Sequence, residues 1–315
     1  MKIAITGTEY YWGKRMLNNL LNNDEIDEII ALDIKSPKIQ SKKLKSAKLT
    51  FKPPFNFEWL KELENFSPDI LLLCPFSFDY CYHDDQRRHL AGVQNSLRVF
   101  REALKQNIPK IIVLSSCLAY GARYSNPVYI HEDDLLLGDR RYEHIRSIIE
   151  LEESCLAAIA TGPEKSIIIL RPALVLGPTI DNSMTRFFKL PVIPYQFGFD
   201  PVMQFIHEDD VVRAIIHAIK NDANGPFNIA CNDFITFSQL CTIIGKKRVP
   251  LFHIAVDLLS SRLWRYRLSQ FSPAFMNLIK YRVVMDISKS KELLNFQAEY
   301  SVKETILSFK KQLED

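Results

Sequence analysis

The segment Thr6-Gly7-Thr8-Glu9-Tyr10-Tyr11-Trp12-Gly13 joins a short apolar run, Ile3–Thr6, to a stretch in which Met16, Leu17, Leu20 and Leu21 repeat with helical period. A strand-to-helix turn of this kind aims free backbone N–H groups and the positive helix end at whatever lies above the sheet, which suits a pyrophosphate. Gly7 permits the tight turn and Gly13 the close packing of helix on strand, while Tyr10 stands where a glycine usually lets the backbone meet phosphates. Twenty residues after Gly13, Asp33 closes a second apolar run, Ile29–Leu32. A carboxylate there accepts both adenine-ribose hydroxyls and repels a 2′-phosphate, which favours NAD over NADP, although Lys35 softens that preference. A ligand-free turn, with Asp33 merely opening the next loop, is the simpler alternative.

Other reactive side chains do not assemble into a recognisable device. The histidines at 83, 89, 131, 144, 207, 217 and 253 form no convincing metal set. His207-Glu208-Asp209-Asp210 is rich in ligand types, but adjacent residues at a strand-to-helix junction diverge, and Asp209 or Asp210 is expected to cap the following helix. His131-Glu132-Asp133-Asp134 reads as a polar loop. Neither a Gly-x-Ser-x-Gly elbow nor a Walker loop occurs, so hydrolase and kinase readings lack their main device. The six cysteines contain no Cys-x-x-Cys pair and read as buried thiols in a reducing compartment.

The elements that must position these groups follow from the apolar pattern. The chain has 315 residues, 47% hydrophobic and 24% charged, enough for one large core or two small ones. Forty basic against thirty-seven acidic side chains leave +3, too near balance to indicate a nucleic-acid partner. No apolar run approaches the ~20 residues of a spanning helix, and no export signal is visible, so a cytoplasmic location is expected. Ile3–Thr6, Ile29–Leu32, Ile70–Leu73, Ile111–Ser115 and Ile167–Leu170 suit buried strands, alternating with helical patterns. The fold expected is therefore α/β, a Rossmann-type doubly wound parallel sheet with a smaller, partly C-terminal α/β substrate lobe. The dinucleotide domain spans 1–175 and takes back 204–230; residues 176–203 and 231–315 form the lobe. The aromatic and basic stretch 251–282 reads as a solvated face flanking a packed helix, or as a cover on the substrate pocket.

The whole chain resembles the extended short-chain dehydrogenase/reductase family, the NAD-dependent epimerase/dehydratase group. The landmarks are the turn at 6–13, Ser115-Ser116-Cys117-Leu118-Ala119-Tyr120-Gly121, Tyr142-x-x-x-Arg146 with Glu150, Arg171-Pro172-Ala173-Leu174-Val175-Leu176-Gly177-Pro178, and Phe205-Ile206-His207-Glu208-Asp209-Asp210-Val211. The resemblance implies a small-molecule substrate, with Ser116 holding the substrate oxygen, Tyr142 passing the proton and Arg146 supplying the nearby charge. It implies NAD against Gly7, Tyr10, Tyr11, Trp12, Gly13, Asp33, Ile34, Cys74, Pro75 and Pro172, and a homodimer through the 84–107 and 141–160 helices.

A phenol with an ordinary pKa of about 10 acts as a base near neutrality only beside a positive charge. On a helix, Tyr142 and Arg146 would lie one above the other. Arg146 stands where the family has lysine, and a guanidinium is larger and planar. Met203 and Gln204 stand where sugar-nucleotide epimerases often carry a diphosphate-binding arginine, which counts against a nucleotide sugar and allows a less polar substrate, both of which stay open. Two readings stay open. One is an oxidoreductase or epimerase acting at a secondary alcohol or ketone carbon. The other is a catalytically impaired nucleotide- or protein-binding scaffold, with Tyr142 an aromatic anchor and Arg146 a surface partner of Glu143 or Glu150.

Overall fold

The computed structural model describes residues 1–50, 57–74, 86–162, 165–252 and 260–314; of residues 86–94 the backbone course alone is described. Pro75, His83 and His253 lie outside the described residues, as does Cys81. All five described cysteines are buried and free.

Seven strands form one all-parallel sheet. They are β1 (Lys2–Thr6), β2 (Glu28–Asp33), β3 (Leu44–Lys48), β4 (Ile70–Leu73), β5 (Lys110–Leu114), β6 (Ser166–Pro172) and β11 (Gly225–Ile229). Their order is β11-β6-β5-β4-β1-β2-β3, so the winding reverses between β1 and β4. That reversal opens a crevice at the carboxyl ends of the strands, where doubly wound sheets bind ligands. The five apolar runs expected as strands are all strands. β3 escapes the sequence pattern because it is an edge strand with only Ala47 buried, and β11 because it opens with Gly225-Pro226.

Alternation along each strand divides the core into two layers. Ile3, Ile5, Leu72, Ile112 and Ile168 pack in one layer with Met16 and Leu17 of α1 (Tyr11–Leu21) and Ile215 of α6 (Glu208–Lys220). Ala4, Leu71, Val113 and Ile169 pack in the other with Leu63 of α2 (Glu58–Phe66), Phe100 of α3 (Gln86–Lys105) and Cys155 of α4 (Glu143–Thr161). Both faces are covered, which is why the central strands are continuously apolar.

The remaining elements gather at one end. β7 (Leu174–Leu176) pairs with β10 (Phe205–His207), β8 (Val192–Gln196) with β13 (Lys247–Leu251), and β9 (Val202–Met203) with β12 (Ile235–Thr236). Around them stand α5 (Ser183–Phe188), α7 (Phe237–Ile243), α8 (Pro273–Leu278), α9 (Ser288–Leu293) and α10 (Val302–Glu314). The expected cap of α6 is corrected. His207 precedes the helix and its Nδ1 accepts the Asp209 N–H at 3.1 Å, while Asp210 reaches away to the backbone N–H groups of Glu299 and Tyr300. The imidazole competes for the cap because Asp210 has a buried task tying the C-terminal segment to α6.

A buried charge pair binds the sheet to its surroundings. Arg171, 1% exposed at the end of β6, meets the Glu152 carboxylate of α4 at 2.6 Å. Its guanidinium also donates to Tyr120 Oη at 2.6 Å and to the Glu132 carbonyl at 2.9 Å, and Ser115 donates to Glu152. Removing one member of such a pair strands a charge without solvent, at about 3–5 kcal/mol. Glu152→Ala is expected to lower the unfolding free energy by that order in urea titrations. The double change Glu152→Leu with Arg171→Met should cost less than Glu152→Ala alone, and equal losses would show that the pair holds no stranded charge.

Candidate active site

The turn between β1 and α1 has the geometry of an anion cradle. Gly7 takes a positive φ of 71°, and the Tyr10 N–H closes the turn on the Gly7 carbonyl at 2.9 Å. A Cβ at Gly13 would stand 2.2 Å from the Gly7 carbonyl oxygen, so only glycine lets α1 seat this tightly on the turn. No side chain caps the N-terminus of α1 and no acidic residue occupies its first turn. The first N–H groups of an 11-residue helix are thus open to an anion, and the residues present fit a dinucleotide pyrophosphate. Tyr10, in place of the middle glycine, is half-buried and packs against the core layer beneath α2 and α3.

Asp33 is turned into this cradle. Its carboxylate accepts the Gly7 N–H at 3.0 Å, the Thr8 N–H at 2.8 Å and the Thr8 hydroxyl at 2.5 Å. Burial raises its pKa from 3.8 to about 6, against the lowering effect of those hydrogen bonds. The expected ribose acceptor is therefore also the staple of the turn, although a carboxylate has more lone pairs than these three donors use. Ile34, half-buried, follows it. Cys74, at the end of β4, is fully buried with its carbonyl bound by the Thr6 hydroxyl at 2.8 Å, and burial pushes its thiol up.

Beside the cradle, a cavity of about 130 Å³ opens above the ends of β5 and β6. Trp12 of α1, Pro172 and Ala173 after β6, Met184 of α5 and Phe275 of α8 supply much of its apolar wall. Ser116 lines it as well, held by the Leu118 N–H on its Oγ at 3.2 Å, the cap of a single tight turn at Cys117–Ala119. The loop that closes the cavity over α1 is fastened by Glu208, whose carboxylate accepts the N–H groups of Thr179 and Ile180 and pairs with Arg15 at 3.2 Å. The Tyr11 hydroxyl joins that knot through Thr179 at 3.0 Å, and burial pushes its phenol up.

Tyr142 and Arg146 do not form the expected column. Tyr142 precedes α4 with extended backbone, φ −95° and ψ 117°, so its side chain leaves the chain outside the helical array. Its ring shares an apolar cluster with Ala274 and meets Trp264 edge-on at 6.2 Å between centroids. Burial and the nearby Asp139 raise the phenol's pKa, the reverse of what a proton-accepting tyrosine needs. Arg146 turns instead to Glu143 at 2.8 Å and Glu150 at 3.7 Å. Neither Tyr142 nor Arg146 lines the cavity; from the first turn of α4, His144 and Ile145 line it.

Sequence reading singled out Glu150 and missed Glu152, which belongs to the buried face Ile145, Ile149, Glu152 and Cys155. A carboxylate on an otherwise apolar stripe was the available signal, because such a group must have a buried partner. The two-residue offset from Glu150 to Glu152 is the same as that from Tyr142 to His144. Among the described residues no group of three or more His, Cys, Asp or Glu side chains could hold a metal ion.

With this geometry in view, comparison with known proteins defines the class. The family model described as "NAD dependent epimerase/dehydratase family" matches residues 3–230, and the chain belongs to that family. An uncharacterised protein of Mycobacterium bovis, Mb0513, is 24% identical over 214 residues, which cover 68% of this chain and 57% of that protein. The chain thus spans little more than half the length of that relative. Among solved structures, a UDP-glucose 4-epimerase from Thermotoga maritima, with UDP-glucose, has a TM-score of 0.71 at 18% identity, over 100% of this chain and 99% of the other. The Bordetella bronchiseptica enzyme WbmG, in complex with NAD, gives 0.71 at 18% identity, over 100% and 94%.

The Asp33 shift has a measurable consequence. A carboxyl whose folded pKa lies above its unfolded value binds more protons folded than unfolded between the two, so stability falls as pH rises through that window. For Asp33 the window runs from 3.8 to about 6. The difference in unfolding free energy between the protein and Asp33→Asn should fall by about 3 kcal/mol across it and stay level above pH 7. Urea titrations at stepped pH measure this, and parallel curves for the two proteins would contradict it.

Proposed function

We propose that this chain is an NAD-dependent oxidoreductase or epimerase acting at a secondary alcohol or ketone carbon held in the cavity beside Ser116. The observation that carries the reading is the adjacency of two features at the ends of the parallel strands. One is an uncapped, glycine-seated helix N-terminus, and the other a cavity that shares Trp12 of that same helix. When bound, NAD supplies the two-electron acceptor. Gly7, Gly13 and the first N–H groups of α1 receive its phosphates, Asp33 and Ile34 border its adenine ribose, and Cys74 and Pro172 flank the path to the cavity. Ser116 donates its hydroxyl to the substrate oxygen, where charge develops as the carbon changes oxidation state.

The cavity wall favours a less polar substrate over a nucleotide sugar. Among the described residues, no lysine or arginine lines it. Gln204, where a diphosphate-binding arginine would be expected, is buried and occupied, donating to the Cys231 carbonyl at 3.1 Å and accepting the Met285 N–H at 2.8 Å. A diphosphate would enter without a cation to meet it. The buried thiols fit a cytoplasmic setting, and no helix among the described residues is long and apolar enough to cross a membrane. Pairing of two copies through the outer faces of α3 and α4 completes the proposal.

The scaffold reading keeps support from Tyr10 and from the engagement of Asp33 by the turn itself. Titration calorimetry separates the two. The enzyme reading expects NAD to bind at least tenfold more tightly than NADP and Gly7→Val to lose it, whereas a purely protein-binding scaffold binds neither nucleotide.

Once a substrate is in hand, Ser116→Ala should lower kcat by about 100-fold, the usual loss for one oxyanion donor. Its NAD affinity should stay within about twofold, because the hydroxyl meets substrate, not cofactor. Turnover unchanged in that variant would remove Ser116 from the site.

A further inference from the structure

Among the described residues, the cavity wall carries one ionisable side chain, His144. Of the residues that line it, Ser115, Ser116, Asn182, Ser183, Gln270 and Ser272 are polar but hold their protons throughout the working range, and the rest of the wall is apolar apart from His144. A secondary alcohol cannot become a ketone unless its hydroxyl proton goes somewhere. A serine hydroxyl can relay that proton but cannot keep it, whereas an imidazole can.

We propose that His144 is the acid–base catalytic residue of this cavity, in place of Tyr142. The inference rests on the oxidoreductase reading above and deepens it. His144 takes the hydroxyl proton on its unprotonated ring nitrogen, directly or through Ser116, as the O–H and C–H bonds break and the C=O bond forms. The hydrogen and both electrons of the C–H bond pass to bound NAD, the oxidant, and the imidazolium then releases its proton to solvent. In the reverse direction the ring returns the proton to the carbonyl oxygen.

Three observations support the assignment over its neighbours. His144 and Ser116 share the cavity wall. Tyr142 stands outside the wall, its ring edge-on to Trp264. Arg146, the charge that would have activated Tyr142, is paired with Glu143 and Glu150. The Tyr142 ring lies 6.4 Å from the His144 ring between centroids, and Glu143 and Arg146 of its own helix pair with each other. Among the described residues, the other elements lining the cavity bring no charged side chain to its wall.

The test needs no substrate. Oxidised NAD carries a positive nicotinamide ring and NADH a neutral one, so a group beside the reacting carbon senses the difference. In protein labelled at the histidine ring carbons, the His144 resonance is identified by its disappearance in His144→Gln and, independently, in His144→Asn. Its titration midpoint is then followed by NMR in the free protein, with saturating NAD and with saturating NADH. The midpoint should be lower with NAD than with NADH by about half a pH unit or more. The same difference should persist in Tyr142→Phe, and midpoints of the other histidines should agree between the two nucleotides.

If both nucleotides bind and the His144 midpoint is the same with each, the proposal is overturned while the oxidoreductase reading stands. If the shift is lost in Tyr142→Phe, the tyrosine is the coupled group and His144 is displaced from the role. If neither nucleotide binds, the oxidoreductase reading fails and this proposal fails with it.

Discussion

The architecture around the cavity depends on one buried ion pair. Arg171 and Glu152 are 1% and 0% exposed, and two charges leave water on such terms only when every remaining proton and lone pair is answered. Here the partners come from separate parts of the chain. Arg171 ends β6, Glu152 lies mid-helix in α4, Ser115 follows β5, and Tyr120 passes the network on to Asn228 of β11 at 2.7 Å. Asn228 in turn donates to the Ile130 carbonyl at 3.0 Å and its N–H reaches Glu132 at 2.9 Å. Sliding α4 by even one residue would pull the carboxylate from the guanidinium, so the pair sets the register of that helix against the sheet. Two turns toward its N-terminus, the same face then presents Ile145 with His144 beside it, and both line the cavity.

That register explains why the fold was legible in the sequence and the start of α4 was not. Apolar runs such as Ile111–Leu114 and Ile167–Leu170 are read directly, because a strand covered on both faces has to be apolar at every position. The Gly7–Gly13 turn is equally plain, since a positive φ and a 2.2 Å approach admit no other residue type. The role of Tyr142 came from the family resemblance, and its stacking with Arg146 from a four-residue spacing that assumes both residues are helical. α4 begins one residue later, leaving Tyr142 as an extended flanking residue. What sequence pattern could not supply is the long-range partner of Glu152, nineteen positions away in Arg171.

The cofactor turn shows a related economy of groups. Asp33 holds Gly7 and Thr8 by three hydrogen bonds while burial opposes its charge, so the carboxylate proposed to meet the adenine ribose also shapes the cradle. A buried carboxyl is stabilised when hydroxyls of a ribose donate to it, since those protons offset part of the desolvation that raises its pKa. Ligand and turn then support one another instead of competing. Tyr10 fits the same picture. Its side chain is drawn toward the apolar layer under α2 and α3, where an aromatic gains from burial, and the backbone at that position still closes on Gly7.

The two departures from the family pattern in α4 have a common physical meaning under the proposed role of His144. A tyrosine at an ordinary pKa of about 10 requires a cation at its side to take a proton near neutrality, and that requirement is what a lysine four residues on would serve. An imidazole titrates at about 6.5 without assistance. With histidine at the cavity the neighbouring cation loses its purpose, and Arg146 is free to lie along the helix surface between Glu143 and Glu150. A cation left inside the apolar cavity would carry a desolvation cost with no phenolate to offset it. The turn of Arg146 toward its carboxylates and the presence of His144 in the wall are therefore two sides of one electrostatic arrangement.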